Sequence, residues 1–247
     1  MTILMLESSR ERESTLAKTR PLLRIAIDGP ASAGKTVVGK MAAEKLGYRF
    51  FDTGLVYRAL ALAALDSGVD PGDEEELCRV AGRIEIGGRQ VRSDSATACK
   101  VEIDGKELGG RLHEATVSDL ASKVSSLGEV RRRLLDLQRR VIDPGGVVAA
   151  GRDVGTVVAP EADLKIFLTA SPEVRAERRY GEMSKQGRRV NYHTVLSEIK
   201  QRDERDTNRE LSPTVPAADA IVIQTDEISA QQVAQRIVEE ASFRVAG

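Results

Sequence analysis

Residues 29–36 read Gly29-Pro30-Ala31-Ser32-Ala33-Gly34-Lys35-Thr36 and follow an apolar run at 22–28. The segment after them, 37–46, repeats apolar residues at helical spacing. A strand, a glycine-bounded loop and a helix in this order match the phosphate-binding pattern G-x-x-x-x-G-K-[ST] in its required context. The backbone N–H groups of such a loop turn inward, Lys35 reaches the β- and γ-phosphates, and the Thr36 hydroxyl holds Mg²⁺. The stretch therefore predicts a site for a nucleoside triphosphate.

The composition is that of a globular chain with no bias toward one charge. Its 247 residues are 41% apolar, and aromatic residues make up only 3%, so the core must be aliphatic. The 37 basic and 38 acidic residues give a net charge of −1. A charge this small favours neither a nucleic acid nor a membrane surface as a partner. We therefore expect no nucleic acid and no membrane among the partners.

The cysteines and the apolar runs bear on the cellular compartment. Cys78 and Cys99 form neither a metal-binding pattern nor a disulfide framework, which is typical of a reducing compartment. No apolar run approaches the length of a membrane span. The short apolar run 3–6 has no basic residue before it and is too short for the core of a signal peptide. We therefore expect a cytoplasmic protein.

Short apolar runs that alternate with helical sequence predict the fold. The predicted strands are 22–28, 48–51, 147–150, 164–168 and 220–223. Helical periodicity is found at 37–46, 55–65, 114–141, 172–187, 191–207 and after Ser229. This alternation predicts an α/β fold with a doubly wound parallel sheet, whose ligands bind at the carboxyl ends of the strands. Residues 1–21 are polar and non-periodic, and we expect a flexible extension there.

The middle of the chain departs from the alternation of strands and helices. Residues 83–86 and 100–103 alternate polar and apolar side chains, as half-exposed strands do. Gly87-Gly88 and Asp104-Gly105 are typical of hairpin turns. These features predict a small antiparallel sheet inserted into the α/β fold.

A second candidate motif is Asp52-Thr53-Gly54 followed by Tyr57 and Arg58, at the carboxyl end of the second predicted strand. This position faces the phosphate loop, and the Arg58 guanidinium can hold a second phosphate group through two parallel hydrogen bonds. Asp52 or Thr53 can equally cap an ordinary helix. Both interpretations stay open on the sequence alone.

A third motif is Gly151-Arg152-Asp153-Val154-Gly155-Thr156, directly after the predicted strand 147–150. In this architecture, charged residues between glycines at a strand end are usually site residues. Arg152 suits a phosphate, and Asp153 can accept hydrogen bonds from an exocyclic amine. The alternative is a structural turn with a surface ion pair.

A fourth feature is a series of basic residues in the last third of the chain. Its members are Arg175, Arg178, Arg179, Arg188 and Arg189, followed by the segment 202–209 with Arg202, Arg205 and Arg209. Taken alone, such a series is usually a solvated helix face. Beside a phosphate loop, it favours a mobile lid that neutralises the transferred phosphoryl group and excludes water.

Four segments together resemble the bacterial cytidylate kinase family. They are IAIDGPASAGKT at 25–36, DTGLVYRALALAAL at 52–65, GRDVGTVVAPEADLKIFLTAS at 151–171 and RDERDTNR at 202–209. The resemblance extends over nearly the whole chain from about residue 23. It implies a P-loop NTPase-type three-layer fold with a five-stranded parallel sheet, as one kinase domain at 22–247. An insert at about 66–120 would bind the nucleoside monophosphate, and an arginine-rich lid would span about 172–190.

The resemblance also implies an activity and its residues. Members of the family transfer the γ-phosphoryl group of ATP to CMP or dCMP with Mg²⁺. By the resemblance, Gly29 to Val37 bind ATP and Thr36 holds the metal. The implied catalytic residues are Lys35, Arg152, Arg178 and Arg202. The implied substrate-binding residues are Thr53, Arg58, Ser122, Arg131, Arg152, Asp153, Arg202, Asp206 and Arg209. Among them, Ser122, Arg131 and Asp153 would read the cytosine, while Arg175, Arg178 and Arg179 would be lid residues. We expect a monomer.

Two other functions stay open. The chain could be another small P-loop kinase, acting on UMP, AMP or a non-nucleotide acceptor such as shikimate. It could also be a nucleotide-binding regulator without catalysis. The chain departs from the family pattern at three places: Leu112-His113, Gly128 and Thr36 stand where the family usually has Ile-Arg, Pro and Gly.

Overall fold

The structure, a computed structural model, describes residues 22–87 and 98–246, so the predicted extension at 1–21 lies outside the described residues. The strands are β1 (Arg24–Asp28), β2 (Arg49–Asp52), β3 (Ile84–Gly87), β4 (Lys100–Ile103), β5 (Lys106–Glu107), β6 (Val147–Ala150), β7 (Leu164–Thr169) and β8 (Ile221–Gln224). The α-helices are α1 (Lys35–Leu46), α2 (Gly54–Ser67), α3 (Glu74–Ala81), α4 (Ala115–Val124), α5 (Gly128–Ile142), α6 (Pro172–Lys185), α7 (Tyr192–Thr207) and α8 (Ala230–Ala246). A 3₁₀ turn spans Gly109–His113, and a π-helical turn spans Val154–Val158.

Five strands form one parallel sheet in the order β2-β6-β1-β7-β8. The five predicted strands are therefore confirmed, with their ends shifted by at most two residues. Strand β1 is central, and its Ile27 lies opposite Ala150 of β6 and Ile166 of β7. Because all five strands run the same way, Asp28, Asp52 and the residues that follow Ala150 meet at one edge of the sheet.

Two apolar clusters lie on the two faces of this sheet and make three layers. One cluster joins the sheet to α1 and α8 and includes Val38. The other joins it to α2, α4 and α5 and includes Leu60. The neighbours Phe50 and Phe51 of β2 belong to different clusters, since successive side chains of a strand point to opposite faces. The predicted three-layer α/β fold is confirmed.

Strands β3, β4 and β5 form a separate three-stranded antiparallel sheet, as the alternating pattern predicts. The predicted turn between β4 and β5 is present, with Asp104 at φ +49° and Gly105 at φ +71°. Residue 88 of the other predicted turn lies outside the described residues. The apolar face of this sheet, with Ile84 and Val101, packs into the same cluster as Leu60.

The helical sequence predicted at 114–141 is confirmed, but it is divided into two helices by a break that was not predicted. Helix α4 ends at Val124 and α5 begins at Gly128. At the break, the Ser125 hydroxyl donates to the Ser122 carbonyl at 2.9 Å, and the Ser126 hydroxyl donates to the Lys123 carbonyl at 2.7 Å. Serine hydroxyls that bond nearby backbone compete with the helical pattern. The break leaves the Ser125 carbonyl free to accept a hydrogen bond from Arg131 at 2.9 Å.

Helices α6 and α7 form an antiparallel pair with an apolar cluster of its own. The cluster consists of Ala176, Met183, Val195 and Ile199, and it is distinct from the two clusters on the sheet. The helices predicted at 172–187 and 191–207 are thereby confirmed. No helix in the ranges 22–87 and 98–246 is both long and apolar enough to cross a bilayer.

Candidate active site

The predicted site residues meet in one open cleft of about 1140 Å³ at the carboxyl edge of the main sheet. Those that line it are Ala31, Ser32, Ala33, Gly34, Lys35, Thr36, Val37, Thr53, Arg58, Ser122, Arg131, Arg152, Asp153, Arg178, Arg202, Asp206 and Arg209. Of the predicted ATP-binding residues, Gly29 and Pro30 do not line the cleft. The fold thus brings together side chains that are widely separated in the sequence.

The phosphate loop depends on two glycines with positive φ. Gly29 has φ +141°, and a Cβ atom there would lie 2.0 Å from the Leu168 carbonyl oxygen, so only glycine fits between β1 and β7. Gly34 has φ +95° and caps the N-terminus of α1. The helix dipole and its unpaired N–H groups therefore point at the cleft, which makes this end of α1 suited to an anion.

Lys35 lies in the loop with its ammonium turned back onto the backbone. Its Nζ donates to the Gly29 carbonyl at 2.7 Å and to the Pro30 carbonyl at 2.6 Å, and the side chain is buried. Burial, together with the nearby positive charge of Arg152, holds the pKa of the Lys35 ammonium well below its usual value. Phosphate oxygens would be stronger partners for this ammonium than the two carbonyls it now contacts.

Thr36 and Asp52 face each other across the first turn of α1. The Thr36 hydroxyl donates to the Asp52 carboxylate at 3.4 Å, and the same carboxylate accepts from the Gly54 N–H at 3.0 Å. Asp52 thus satisfies one backbone N–H at the start of α2 from the position before the N-cap. Thr53 is the N-cap residue, but its hydroxyl makes no capping hydrogen bond and donates to the Ala150 carbonyl at 3.0 Å.

The Arg58 guanidinium is held by helix α4 and the 3₁₀ turn. It donates to the Ser118 hydroxyl at 2.6 Å and to the Leu112 carbonyl at 3.1 Å. Burial lowers the pKa of Arg58, and the positive charges of Arg179 and Arg152 lower it further. The site therefore holds more positive charge than its own carboxylates balance.

One carboxylate, that of Asp206, gathers three guanidinium groups. Asp206 is 6% exposed and accepts from Arg152 at 2.9 Å and from Arg209 at 2.8 Å, with Arg202 at 3.8 Å. Burial alone would raise the pKa of Asp206, but Arg152 and Arg209 keep it below its usual value. Burial and the neighbouring Arg152 lower the pKa of Arg202 to about 10. The cluster is thus prepared for an anion that brings further negative charge.

Asp153 and Arg131 form an ion pair whose side chains are only 10% and 12% exposed. Arg131 also lies over the ring of Tyr57, with 5.7 Å between the guanidinium carbon and the ring centroid. Ser122 lines the cleft beside them. The pair is not on the surface, so the surface ion pair considered for the third motif does not describe this turn.

Asp28, which the sequence analysis did not single out, supports the site from behind the cleft. It ends β1, is buried, and accepts from the backbone N–H groups of Val154 and Gly155 at 2.7 Å each. Burial raises the pKa of Asp28 to about 6, against the opposing effect of these two hydrogen bonds. Asp28 thereby ties the strand before the phosphate loop to the turn that carries Arg152 and Asp153. An acidic residue at the end of an apolar strand was the available signal.

The predicted lid arginines occupy different environments. Arg178 donates to the Thr225 hydroxyl at 3.0 Å and to the Thr225 carbonyl at 2.5 Å, and that hydroxyl donates in turn to the Thr169 carbonyl at 3.1 Å. Arg179 is 40% exposed and lies 3.6 Å from Glu182. Neither of these guanidiniums contacts the Asp206 carboxylate.

Arg175 does not line the cleft, although the resemblance places it in the lid. It lies in the first turn of α6, is 3% exposed, and forms an ion pair with Asp203 of α7. Its burial could not be anticipated from the sequence, because its partner is 28 residues further along the chain.

Comparison with known proteins gives one consistent result. A model of the family described as cytidylate kinase matches residues 25–242. The chain is 43% identical over 218 residues to cytidylate kinase of Pelotomaculum thermopropionicum, covering 88% of this chain and 95% of that one. It is 42% identical over 222 residues to cytidylate kinase of Klebsiella pneumoniae, covering 90% and 96%. A solved structure of shikimate kinase from Acinetobacter baumannii with shikimate aligns at a TM-score of 0.45 and 18% identity, covering 91% and 95%, which is too distant to bear on the substrate.

Proposed function

The chain belongs to the cytidylate kinase family, and we propose that it transfers the γ-phosphoryl group of ATP to CMP or dCMP, giving ADP and CDP or dCDP. The observation that carries this assignment to individual residues is the buried Arg131–Asp153 pair. The pair supports the proposal because a carboxylate and a guanidinium suited to a base line the same cleft as the phosphate loop and the arginines around Asp206. The proposed roles of the individual residues follow from these contacts.

The phosphate loop, Gly29 to Val37, is the proposed site of ATP. Its backbone N–H groups and the N-terminus of α1 would hold the phosphates. On binding, the Lys35 ammonium would leave the Gly29 and Pro30 carbonyls for the β- and γ-phosphate oxygens. This exchange is favourable because a charged oxygen is a better acceptor for an ammonium than a carbonyl.

The acceptor phosphate is proposed to lie among the guanidiniums on the other side of the cleft. They belong to Arg58, Arg152, Arg202 and Arg209. A monophosphate carries up to two negative charges and planar faces of oxygens that match guanidinium groups. Burial, and with it the positive charge of Arg152, lowers the pKa of both Arg58 and Arg202, and a bound phosphate would give these partly buried cations an anionic partner.

Cytosine is the base that the remaining groups fit. Its 4-amino group donates hydrogen bonds, while its O2 and N3 accept them. The Asp153 carboxylate can accept from the amino group, and the Arg131 guanidinium and Ser122 hydroxyl can donate to the ring acceptors. We place Thr53 near the base and Asp206 near the ribose or the phosphates.

Mg²⁺ fits the oxygen ligands at the start of α1. The Thr36 hydroxyl and the Asp52 carboxylate lie 3.4 Å apart at the cleft. The described part of the chain holds no cluster of three or more acidic, histidine or cysteine side chains that could bind a metal alone. Mg²⁺ commonly binds through one or two protein oxygens, water and substrate phosphates. Thr36 would hold it directly and Asp52 through water, and the ion would neutralise charge on the phosphates.

Phosphoryl transfer breaks the bond between the γ-phosphorus and its bridging oxygen and forms a bond to a phosphate oxygen of CMP. That attacking oxygen already carries charge at neutral pH, so the reaction requires positioning more than proton removal. Lys35, Arg152 and Arg202 are the proposed catalytic groups that stabilise the charge on the transferred group. Arg178 remains a predicted catalytic residue, and it would have to leave Thr225 to reach the phosphates.

We also propose the domain organisation that the sequence predicts. One kinase domain spans 22–247, with an acceptor-binding insert at about 66–120 and a lid at about 172–190. Helix α6 packs in an apolar cluster separate from the two on the sheet, which supports a lid at this position. A monomeric state and a cytoplasmic location stay predictions of the sequence.

An acceptor panel tests the proposed function. ADP release is measured with ATP and Mg²⁺ against CMP, dCMP, UMP, AMP and GMP, with ATP alone as the control. We expect rapid turnover with CMP and dCMP and slow turnover with the others. Turnover with AMP and not with CMP would overturn the substrate assignment. Binding of ATP and CMP without turnover would favour a regulator.

A further inference from the structure

The proposed reaction leaves one buried cation without a role. Arg175 is 3% exposed, does not line the cleft and lies in the first turn of α6. The N-terminal end of a helix disfavours a cation, and a buried guanidinium is costly unless it is fully paired. A serine or alanine in this turn would avoid both the unfavourable interaction with the helix dipole and the burial of a charge. An arginine at this position is therefore explained by the groups that it contacts.

The partners of Arg175 come from three separate segments. Its Nε donates to the Ala170 carbonyl at 2.9 Å, just before α6. Its two terminal nitrogens donate to the Asp203 carboxylate of α7 at 2.9 and 2.5 Å, in a bidentate pair. One of these nitrogens also donates to the Ala31 carbonyl of the phosphate loop at 3.3 Å. A single guanidinium thus joins the loop to both helices of the α6–α7 pair.

The contact with Ala31 fixes the direction of a backbone donor. In a trans peptide, the carbonyl and the following N–H point in opposite directions within one plane. The Ala31 carbonyl faces Arg175 outside the cleft, so the Ser32 N–H points away from Arg175. Ser32 has φ +60°, a conformation that a residue other than glycine adopts only when its surroundings hold it. Arg175 supplies such a constraint.

We propose that Arg175, held by Asp203, is a positioning residue that orients the Ala31–Ser32 peptide of the phosphate loop for the triphosphate donor. The proposal rests on the proposed function in taking this loop as the donor site. The Asp206 carboxylate has contacts of its own with Arg152 and Arg209, and neither of them involves Arg175. Loss of the pair therefore affects the donor more than the acceptor.

The test measures donor and acceptor binding separately. Titration calorimetry with a non-hydrolysable ATP analogue and Mg²⁺, and separately with CMP, is applied to the wild-type protein and to Arg175→Lys and Asp203→Asn. Lysine keeps the charge but cannot span Asp203 and Ala31 together. We expect donor binding about tenfold weaker in each variant, since a hydrogen bond to a charged group has that order of effect. CMP binding should change less than twofold.

The matched control is the other ion pair between the same two helices. Lys200 and Glu173 lie 2.9 Å apart and are about half exposed, at 53% and 52%. Lys200→Gln should leave both dissociation constants within about twofold, as expected for an exposed pair. The combined variant Arg175→Lys with Asp203→Asn should be no worse than the worse single variant, because the two side chains act as a unit.

Each outcome decides the proposal. An unchanged donor constant in variants with a lowered melting temperature would show a purely structural pair. Equal losses for donor and acceptor would likewise overturn the proposal. If Arg175→Lys does not fold, as judged by circular dichroism, Asp203→Asn keeps the guanidinium and decides in its place. Donor binding is measured without phosphoryl transfer, so a wild-type protein inactive on CMP would refute the proposed function alone.

Discussion

The two halves of the cleft are assembled in different ways. The proposed donor half is one continuous stretch, Gly29 to Val37, which runs from the end of β1 into the first turn of α1. The proposed acceptor half takes Arg58 from α2, Arg131 from α5, Asp153 from the turn after β6, and Arg209 from the segment after α7. Local spacing is therefore enough to recognise the donor half, whereas the acceptor half exists only after the helices have packed.

The largest expected effect is at the centre of the donor half. Lys35→Ala should lower kcat about a thousandfold or more, because a cation next to the transferred charge is lost. Its melting temperature should be unchanged or higher, since a buried ammonium with a lowered pKa is costly to the fold. The coupled ADP assay and a thermal melt measure the two quantities.

The control for Lys35→Ala is Lys45→Ala, in the last turn of the same helix. Lys45 is exposed and contacts Gln235 at 2.7 Å, away from the cleft. Its removal should leave kcat within twofold. Turnover of Lys35→Ala within tenfold of the wild-type value would remove Lys35 from the catalytic groups.

The next effect concerns Asp28, which joins the two halves. The fold raises the pKa of Asp28 from 3.8 to about 6, so it favours the protonated carboxyl. The stability that Asp28 contributes is fully present below pH 3.8 and is lost as the pH rises through about 6. Between pH 3.8 and about 6, the unfolding free energy of the wild-type protein should therefore fall by about 3 kcal/mol relative to that of Asp28→Asn.

Urea unfolding of both proteins at several pH values between about 4 and 7.5 measures this difference. The two proteins differ in this one side chain, so the comparison of their unfolding free energies reports on Asp28. A difference in unfolding free energy that is constant with pH would contradict the raised pKa. If the unfolding free energy of the wild-type protein instead rose relative to that of Asp28→Asn with increasing pH, the pKa shift of Asp28 would have the opposite sign.

A smaller effect is expected in the acceptor half alone. Asp153→Asn should raise the KM for CMP about thirtyfold, because the amide cannot accept from the 4-amino group as strongly as a carboxylate and also loses its ion pair with Arg131. The KM for ATP should stay within twofold. Asp219→Asn is the control, since Asp219 pairs with Lys165 while 64% exposed. Equal changes for both substrates would remove Asp153 from the base site.

The smallest effect returns to the donor half. Thr36→Ala should raise the Mg²⁺ concentration needed for half-maximal velocity about fivefold, because one oxygen ligand is lost. Thr36→Ser keeps the hydroxyl and should behave like the wild-type protein. A Mg²⁺ dependence that is the same in all three proteins would remove Thr36 from the metal site.

The sequence was sufficient to predict the features that depend on short stretches of neighbouring residues. The five parallel strands, the antiparallel sheet and the Asp104-Gly105 turn follow from local patterns and are confirmed. The break between α4 and α5 was missed, although Ser125 and Ser126 carried the signal for it. The helical periodicity on either side of the serines outweighed them.

Long-range pairing accounts for the other differences. Arg175, Arg178 and Arg179 look alike in the sequence, and only their partners distinguish them. Arg175 is buried because Asp203 of another helix meets it. Asp28 similarly gains its role from the backbone of residues more than 120 positions away. No local pattern reports such contacts.

The single carboxylate of Asp206 has a consequence for behaviour in salt. It already neutralises part of the charge of Arg152, Arg202 and Arg209 before any substrate arrives. A phosphate that binds there would therefore share these guanidiniums with an internal anion. CMP affinity should therefore fall less steeply with ionic strength than four cleft arginines alone would imply. Part of their charge is already neutralised by a buried carboxylate, and buried ion pairs are screened by salt much less than exposed charges. The protein carries its own counter-ion in the place where the substrate phosphate is proposed to bind.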